Sequence, residues 1–365
     1  MGKCGSKFGA YLPEIMLSPL SVEQATSANV ADLHASMLDS VTGSGSPRIL
    51  DMTCGMGIDL RALVTHFPEC VATGIEYDEI PAAAAQFNFR NCPNVKILHG
   101  DSVSWLEAYE GERFDVIFID PARRDENGGR VFNISQCRPD VVSLLPLLER
   151  KCRYAMVKLS PMLDVSRTLH DLRHIFRLHI VDEKGECREL CALLDFSRDI
   201  PAEEVELHIH SAQCDYLFTL AEERASTECY GKPMAGDMVF EPSPAAMKGA
   251  PFATLCSRHG LRKLHPNTNI FFSKTSVEGL PGRWFELEDV CRMSSASLKT
   301  LRAGVPNADV AVRNFPMKAE ELQRRMKLKP GGEHRIIGVT VAGGETGQDT
   351  HELLVLRKQS RHGLL

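Results

Sequence analysis

The sequence predicts an α/β chain: a doubly wound, Rossmann-like sheet preceded by an N-terminal helix and followed by a small α+β middle segment and a small α/β C-terminal domain. Three observations carry that expectation. Apolar runs of strand length alternate with helix-like stretches between Ile49 and Phe196, the pattern of a parallel sheet with crossover helices. A glycine turn, Thr53-Cys54-Gly55-Met56-Gly57, follows the first run directly. Each of the first four runs ends in an acidic residue, at Asp51, Glu76, Asp101 and Asp120, and in a doubly wound sheet the carboxyl ends of the strands open onto one crevice. The expected divisions are residues 1–47, 48–200, 201–282 and 283–365.

In chain order, Ser21-Val22-Glu23-Gln24 reads as a capping box that starts a helix reaching about Leu38, and Gly43 to Pro47 as a flexible join. The strands Ile49-Leu50, Val71 to Tyr77, Val95 to Leu98, Phe114 to Ile119 and Tyr154 to Leu159 follow, with a helix from Pro81 to Asn91. Arg177 to Val181 and Leu190 to Phe196, around the turn at Lys184-Gly185, read as an antiparallel edge hairpin that closes the sheet. The middle segment begins with short strands, Val205 to Ile209 and Tyr216 to Leu220. It continues through a Pro- and Gly-rich run, Gly231 to Pro251, into one helix from about Ala245 to Arg258, with Gly260 as its C′ residue. The last domain reads as strand (Trp284 to Leu287), helix (Ser295 to Arg302), strand (Val310 to Asn314), helix (Ala319 to Leu328) and two strands (Arg335 to Val341, Glu352 to Leu356).

The glycine turn narrows the ligand. Gly55 and Gly57 let the backbone turn with positive φ and approach a ligand where a Cβ would collide. A dinucleotide site asks for a third glycine, so that a pyrophosphate sits on the helix N-terminus. Here that position is Leu60, with Asp59 just ahead of it. A carboxylate repels a pyrophosphate but attracts the sulfonium and ammonium charges of S-adenosylmethionine. Glu76 lies about 20 residues past the turn, where such sheets place an acceptor for ribose hydroxyls. Gly100-Asp101-Ser102 offers a carboxylate to an adenine amino group. The expected cofactor residues are therefore Asp51, Thr53, Gly55, Gly57, Asp59, Glu76, Asp101 and Ser102.

With these marks in this order, the chain resembles the class I S-adenosylmethionine-dependent methyltransferases. The likeness narrows at Asp120-Pro121-Ala122-Arg123-Arg124-Asp125, Pro139-Asp140, Lys158 to Asp164, Lys263-Leu264-His265-Pro266-Asn267 and Val312-Arg313-Asn314-Phe315-Pro316. These segments are similar to a bacterial group of methyltransferases with a ferredoxin-like segment and a THUMP-like C-terminal domain. The resemblance covers most of the chain after the first fifty residues. It implies a methyltransferase sheet, in-line methyl transfer without a metal or covalent intermediate, and an RNA substrate.

Relatives that methylate exocyclic amino groups carry Asp or Asn, two prolines and an aromatic residue at the position of Asp120. By that resemblance Asp120 orients the nucleophile and Pro121 supplies a carbonyl; Arg123, at the same strand end, is expected to face the nucleophile as well. Ala122 and Arg123 stand where those relatives have proline and the aromatic ring, which puts an amine target in question. Arg124 and Asp125 are expected on the substrate side. The arginines either hold a phosphate or stack on a base, or one pairs with Asp125 or Glu126 and fixes the loop. Lys158 is a further substrate-side candidate, or a lysine that snorkels to solvent.

Composition agrees with a globular enzyme. The chain has 365 residues, 43% hydrophobic and 25% charged, enough for two or three domains with a sizeable core. No run is apolar for long enough to span a bilayer, and the start lacks a signal-peptide pattern, so the expected location is cytoplasmic. The twelve cysteines are scattered without a C-x-x-C pair, which reads as free thiols in a reducing compartment. His208 and His210 alternate on a strand without further ligands in sequence, and no metal is expected.

From Arg283 onward there are fourteen Lys or Arg against ten Asp or Glu, about +4 beside a whole-chain −6. Arg313, Arg324 and Arg325, with Lys318, Lys327 and Lys329 nearby, form either an RNA-binding patch or a solvated helix face. The leading expectation is an S-adenosylmethionine-dependent methyltransferase that modifies a base in a structured RNA. A protein or small-molecule methyltransferase and an inactive binding protein of the same fold are the alternatives, and oligomeric state is open.

Overall fold

The computed structural model describes residues 7–8, 15–16, 25–43, 45–123, 134–343 and 347–358. The expected capping box at Ser21 to Gln24 and the site candidates Arg124 and Asp125 lie outside these residues. The chain divides into two compact units, Met1–His179 with Arg188–Val205, and Ile180–Cys187 with Glu206–Leu365.

The first unit opens with helix α1 (Ala28–Met37), whose N-cap Ser27 accepts the Val30 N–H at 3.4 Å. Its buried side carries Val30, Ala31, His34 and Ala35, an i, i+3, i+4 stripe that includes a histidine. There follow β1 (Arg48–Asp51), α2 (Ile58–His66), β2 (Val71–Glu76), α3 (Glu79–Asn88), β3 (Val95–His99), α4 (Ser102–Ala108) and β4 (Phe114–Ile119). Next come the short β5 (Ala122–Arg123) and β6 (Cys137–Arg138), then α5 (Val141–Lys151), β7 (Cys152–Leu159), α6 (Val165–Asp171), β8 (Ile175–Glu183) and β9 (Glu186–Asp195).

Within this unit the main sheet runs β8-β9-β7-β4-β1-β2-β3. Pairings of β1 with β2 and β4, of β2 with β3 and of β4 with β7 are parallel, while β9 runs antiparallel to β7. The strand order reverses between β4 and β1, so the turn after β1 sits at the topological switch point, where open α/β sheets bind ligands. β4 and β7 are buried at all but their second residue, as expected of strands covered on both faces. The expected hairpin is present as β8–β9, longer than its apolar cores indicated because polar residues at its tip extend the pairing, but it is not the edge that closes the sheet: two further strands continue the sheet beyond β8.

The second unit takes in the hairpin tip Ile180–Cys187 and the antiparallel pair β10 (Glu206–His210) and β11 (Asp215–Thr219), followed by α7 (Leu220–Ala225). Beyond them lie β12 (Met238–Pro242), α8 (Pro244–Gly249), α9 (Phe252–His259), β13 (Arg262–His265), β14 (Thr268–Ser273), β15 (Gly282–Arg292), α10 (Ser295–Gly304), β16 (Asn307–Arg313), α11 (Ala319–Met326), β17 (Lys329–Val341) and β18 (Thr350–Lys358). A seven-stranded sheet, β13-β14-β12-β15-β18-β17-β16, organises it. One apolar cluster holds Val239, Leu264, Phe285, Ile337 and Leu354. A second holds Leu301, Leu322, Met326, Ile336 and Leu353 and so includes α10 and α11.

Two sequence expectations change here. The single helix from about Ala245 to Arg258 is two helices, because Ala250 adopts a left-handed conformation (φ 56°) and Pro251 follows it. Gly260 does end the second, with φ 66° and its N–H on the Cys256 carbonyl. The run Gly231 to Pro251 also contains a strand, β12, buried through Val239–Pro242 between β14 and β15. Among the described residues no helix is long and apolar enough to cross a membrane.

Candidate cofactor and acceptor site

The strand ends of the first unit are tied together by the residues that the sequence singles out. Asp51 ends β1 almost fully buried, and its Oδ1 accepts the Thr53 N–H at 3.0 Å. Thr53 Oγ1 in turn accepts the Asp120 N–H at 2.6 Å, joining the glycine turn to the end of β4. Glu76 receives the Gly55 N–H on Oε2 (2.7 Å) and the Asp78 N–H on Oε1 (2.9 Å), which fixes its carboxylate at the mouth of the turn. Asp101 caps α4 by accepting from Val103 and Ser104, and these bonds hold its carboxyl below the ordinary value; Ser102 beside it is buried. Burial pushes the Asp51 carboxyl well up, and the neighbouring Asp59 and Asp120 charges add to the effect.

The turn leaves room for a ligand. Gly55 (φ 55°) and Gly100 (φ 149°) have no heavy atom within 4 Å of where a Cβ would stand. Gly57 (φ 83°) is closed instead, since a Cβ there would come within 2.4 Å of the Phe89 ring. Open backbone beside Glu76, with carboxylates at or just past the ends of β1 to β4, fits a cationic nucleoside such as S-adenosylmethionine better than a pyrophosphate.

Behind the turn lies a buried charge network. Lys158 on β7 is 6% exposed, so it does not snorkel. Its ammonium donates to Asp120 Oδ2 (2.7 Å) and Thr26 Oγ1 (2.7 Å), and stands 3.6 Å from Asp59 Oδ2 and 4.0 Å from Glu189 Oε2. Thr26 gives its own proton to Asp59 Oδ2 (2.7 Å), so it meets Lys158 with a lone pair. His34, fully buried on α1, bridges Asp59 Oδ1 through Nδ1 (2.7 Å) and Glu189 through Nε2. Both carboxylate oxygens of Asp59 are therefore engaged by protein donors. Asp59, expected against the cofactor's positive charge, is directed by the first-turn geometry of α2 toward α1 and β7.

Burial alone would drive the Lys158 ammonium toward its neutral form, but Asp59, Asp120 and Glu189 hold its pKa well above the ordinary value. Burial likewise opposes a charged His34. The thiol of Cys191, pushed up to about 12, carries no charge at neutral pH, so the Glu189 and Asp59 carboxylates keep the imidazolium well above 6.5. Asp59 and Glu189 are lowered against the pull of burial by Lys158 and His34. His34, Glu189 and Cys191 offer atoms within 4.8 Å of one another, a spacing open to a metal, but an imidazolium and an adjacent ammonium oppose a further cation.

Linkage gives this network a pH signature. His34 gains its proton affinity on folding, so its contribution is complete below about 6.5 and declines as pH rises toward the folded value. Asp59 and Glu189 act oppositely and lose their contribution as pH falls below the ordinary carboxylate range of about 4. Thermal unfolding followed at Trp105, in α4, should therefore show stability falling as pH rises above 6.5. His34→Gln should flatten that alkaline limb, and an unchanged limb in the variant would refute the assignment.

The remaining candidates fall in different places. Pro121 is half-buried after β4, and the Arg123 backbone pairs with Cys137 in the β5–β6 ladder. In the second unit, Arg313 donates to the buried Glu241 (2.9 Å), which Arg335 also engages (2.8 Å), and Arg325 pairs with Glu321 (2.8 Å). Among the described residues, exposed Arg324 donates only to the Glu320 carbonyl. Thr26, His34 and Glu189 were not foreseen. Their signal was a histidine within the apolar stripe of α1 and a glutamate leading into the buried run Leu190–Asp195.

A family described as ferredoxin-like domain matches residues 239–281, and one described as THUMP domain-like matches residues 282–358. The crystal structure of a "putative methyltransferase" from Porphyromonas gingivalis W83 is similar over 98% of this chain and 88% of that one, at 33% identity and a TM-score of 0.86. A "putative class I S-adenosylmethionine-dependent methyltransferase" from Listeria monocytogenes matches 51% of this chain and 66% of that one, at 16% identity and a TM-score of 0.39. No curated relative matches the sequence.

Proposed function

Because this chain belongs to the class I S-adenosylmethionine-dependent methyltransferases that carry ferredoxin-like and THUMP-like domains, we propose that it methylates a base in a structured RNA. The observation that carries the acceptor assignment is Asp120. It stands at the end of β4 with Oδ2 held by Lys158, while its side chain is 46% exposed. An exposed carboxylate held on one oxygen presents the other as an acceptor for a nucleophile's hydrogen.

S-adenosylmethionine, when bound, supplies an electrophilic methyl group on a positively charged sulfur. Gly55, Glu76 and Asp101 are the residues that would hold it, and Asp51 and Thr53 shape the turn between them. Asp120 orients the acceptor, and the Pro121 carbonyl adds a second hydrogen-bond acceptor beside it. Buried Lys158 fixes Asp120 and is itself held by Thr26. The THUMP-like match supports RNA as the substrate class.

Calorimetric titration with S-adenosylhomocysteine should give an affinity on the order of micromolar, and NADH none. Transfer of labelled methyl from S-adenosylmethionine to structured RNA then tests the substrate. Absence of both binding and transfer overturns the reading. Binding with transfer to protein but not RNA would favour the alternative, which the internal pairing of Arg313 and Arg325 supports.

A further inference from the structure

The Lys158 ammonium has three carboxylates within ion-pair distance and sits closest to the one that burial favours least. It is 2.7 Å from Asp120 Oδ2, against 3.6 Å from Asp59 Oδ2 and 4.0 Å from Glu189 Oε2. The Asp120 side chain is 46% exposed, whereas Asp59 and Glu189 are 13% and 11% exposed. A buried carboxylate has lost more of its hydration than a half-open one, so burial alone would draw the ammonium to Asp59 or Glu189.

His34 accounts for the inversion. Its buried ring meets Asp59 Oδ1 at Nδ1 (2.7 Å) and Glu189 Oε1 at Nε2. A carboxylate oxygen only accepts, so both ring nitrogens donate and the ring carries a positive charge. That charge serves the two buried carboxylates. Thr26 adds a proton to Asp59 Oδ2 (2.7 Å), and the Cys191 thiol reaches Glu189 Oε1 at 3.5 Å. The groups facing the ring are therefore Asp59 from α2, Glu189 and Cys191 from β9, and the uncharged Phe118 ring from β4, with centroids 5.9 Å apart. Lys158, from β7, approaches the other oxygens of the same two carboxylates. With both already supplied by His34, the ammonium is left to Asp120.

We propose that His34 is a positioning residue for Asp120: by occupying Asp59 and Glu189 it assigns the Lys158 ammonium to Asp120 and so fixes the carboxylate that receives the acceptor. The proposal rests on the assignment of Asp120 to the acceptor side. It extends that site to a side chain on α1, which acts through Asp59, Glu189 and Lys158.

His34→Gln removes the charge and keeps one amide donor. In its crystal structure near neutral pH, Lys158 Nζ should lie within about 3 Å of Asp59 or Glu189 and beyond about 3.5 Å from Asp120. Methyl transfer to structured RNA should fall about tenfold in kcat, with KM and S-adenosylhomocysteine affinity within about threefold of wild type. Adding Asp59→Asn and Glu189→Gln removes the competing charges. The ammonium should then return to Asp120, and most of the lost rate with it. The wild-type kcat should also decline as pH rises through the raised His34 value, a limb that the triple variant lacks.

Lys158 remaining on Asp120 in His34→Gln, or moving away with transfer unchanged, overturns the proposal. So does a rate lost in His34→Gln and not regained in the triple variant, the result of a merely structural histidine. If His34→Gln does not fold, wild type and triple variant decide: an alkaline decline confined to wild type supports the proposal, and the same decline in both overturns it. A wild-type chain that transfers no methyl to RNA removes the RNA reading alone, since the place of Lys158 in the two variants still supports or overturns its assignment by His34.

Discussion

Replacing Lys158 with methionine is expected to destabilise the first unit by about 3–5 kcal/mol, the largest stability effect of any single substitution in the site. Methionine approximates the volume of the lysine stem, so packing changes little. What disappears is the ammonium that faces Asp59, Asp120 and Glu189. Three carboxylates would remain around one buried imidazolium, and removing one partner of a buried ion pair leaves the others desolvated without compensation. The chain has two tryptophans, Trp105 in the first unit and Trp284 in the second, so the two units need not unfold in one step. Urea unfolding in a Trp284→Phe background isolates the first unit through Trp105. Adding Asp59→Asn to Lys158→Met should recover part of the loss, because it removes one of the stranded charges. A loss below about 1 kcal/mol would mean that the pair behaves like an exposed salt bridge and that the network is not closed to water.

The sheet and its glycine turn were legible because both follow from local rules. Strand-length apolar runs ending at Asp51, Glu76 and Asp120 fix alternation, and Gly55 and Gly57 are free to take the positive φ that both adopt. The network behind the turn was not legible in the same way. Thr26, His34, Asp59, Lys158 and Glu189 come from separate parts of the chain, and only strand order brings β9 next to β7 and β7 next to β4. Asp59 shows the consequence: its charge type suggested a cationic ligand, and the cation it meets is Lys158. The partners of the last domain's arginines were hidden in the same way. Counting charge from Arg283 onward finds a basic excess, but Glu241, far upstream in sequence, takes Arg313 and Arg335. Helix α8 ends where Ala250 turns left-handed ahead of Pro251, a break that Gly249-Ala250-Pro251 announces and that the single-helix reading passed over.

Asp120→Ala is expected to lower methyl transfer by about 10²–10⁴-fold while S-adenosylhomocysteine affinity stays within about tenfold. The asymmetry follows from where the carboxylate sits. Its backbone N–H is anchored to Thr53, and so to the turn, but alanine keeps that bond. Its side chain reaches Lys158 on one oxygen and is otherwise exposed. Loss of the carboxylate therefore removes an acceptor-side contact and leaves the glycine turn, Glu76 and Asp101 as they are. The fold should tolerate the change better than Lys158→Met, because Lys158 retains Asp59, Glu189 and the Thr26 hydroxyl. Asp120→Asn separates orientation from charge. An amide accepts a hydrogen bond from the nucleophile through its oxygen but cannot hold a proton, so partial activity in Asn and none in Ala would assign Asp120 to positioning. Equal loss in both variants would assign it to proton acceptance. Loss of cofactor affinity in step with transfer would instead place Asp120 in the cofactor site, and the acceptor assignment would have to move elsewhere on the strand ends.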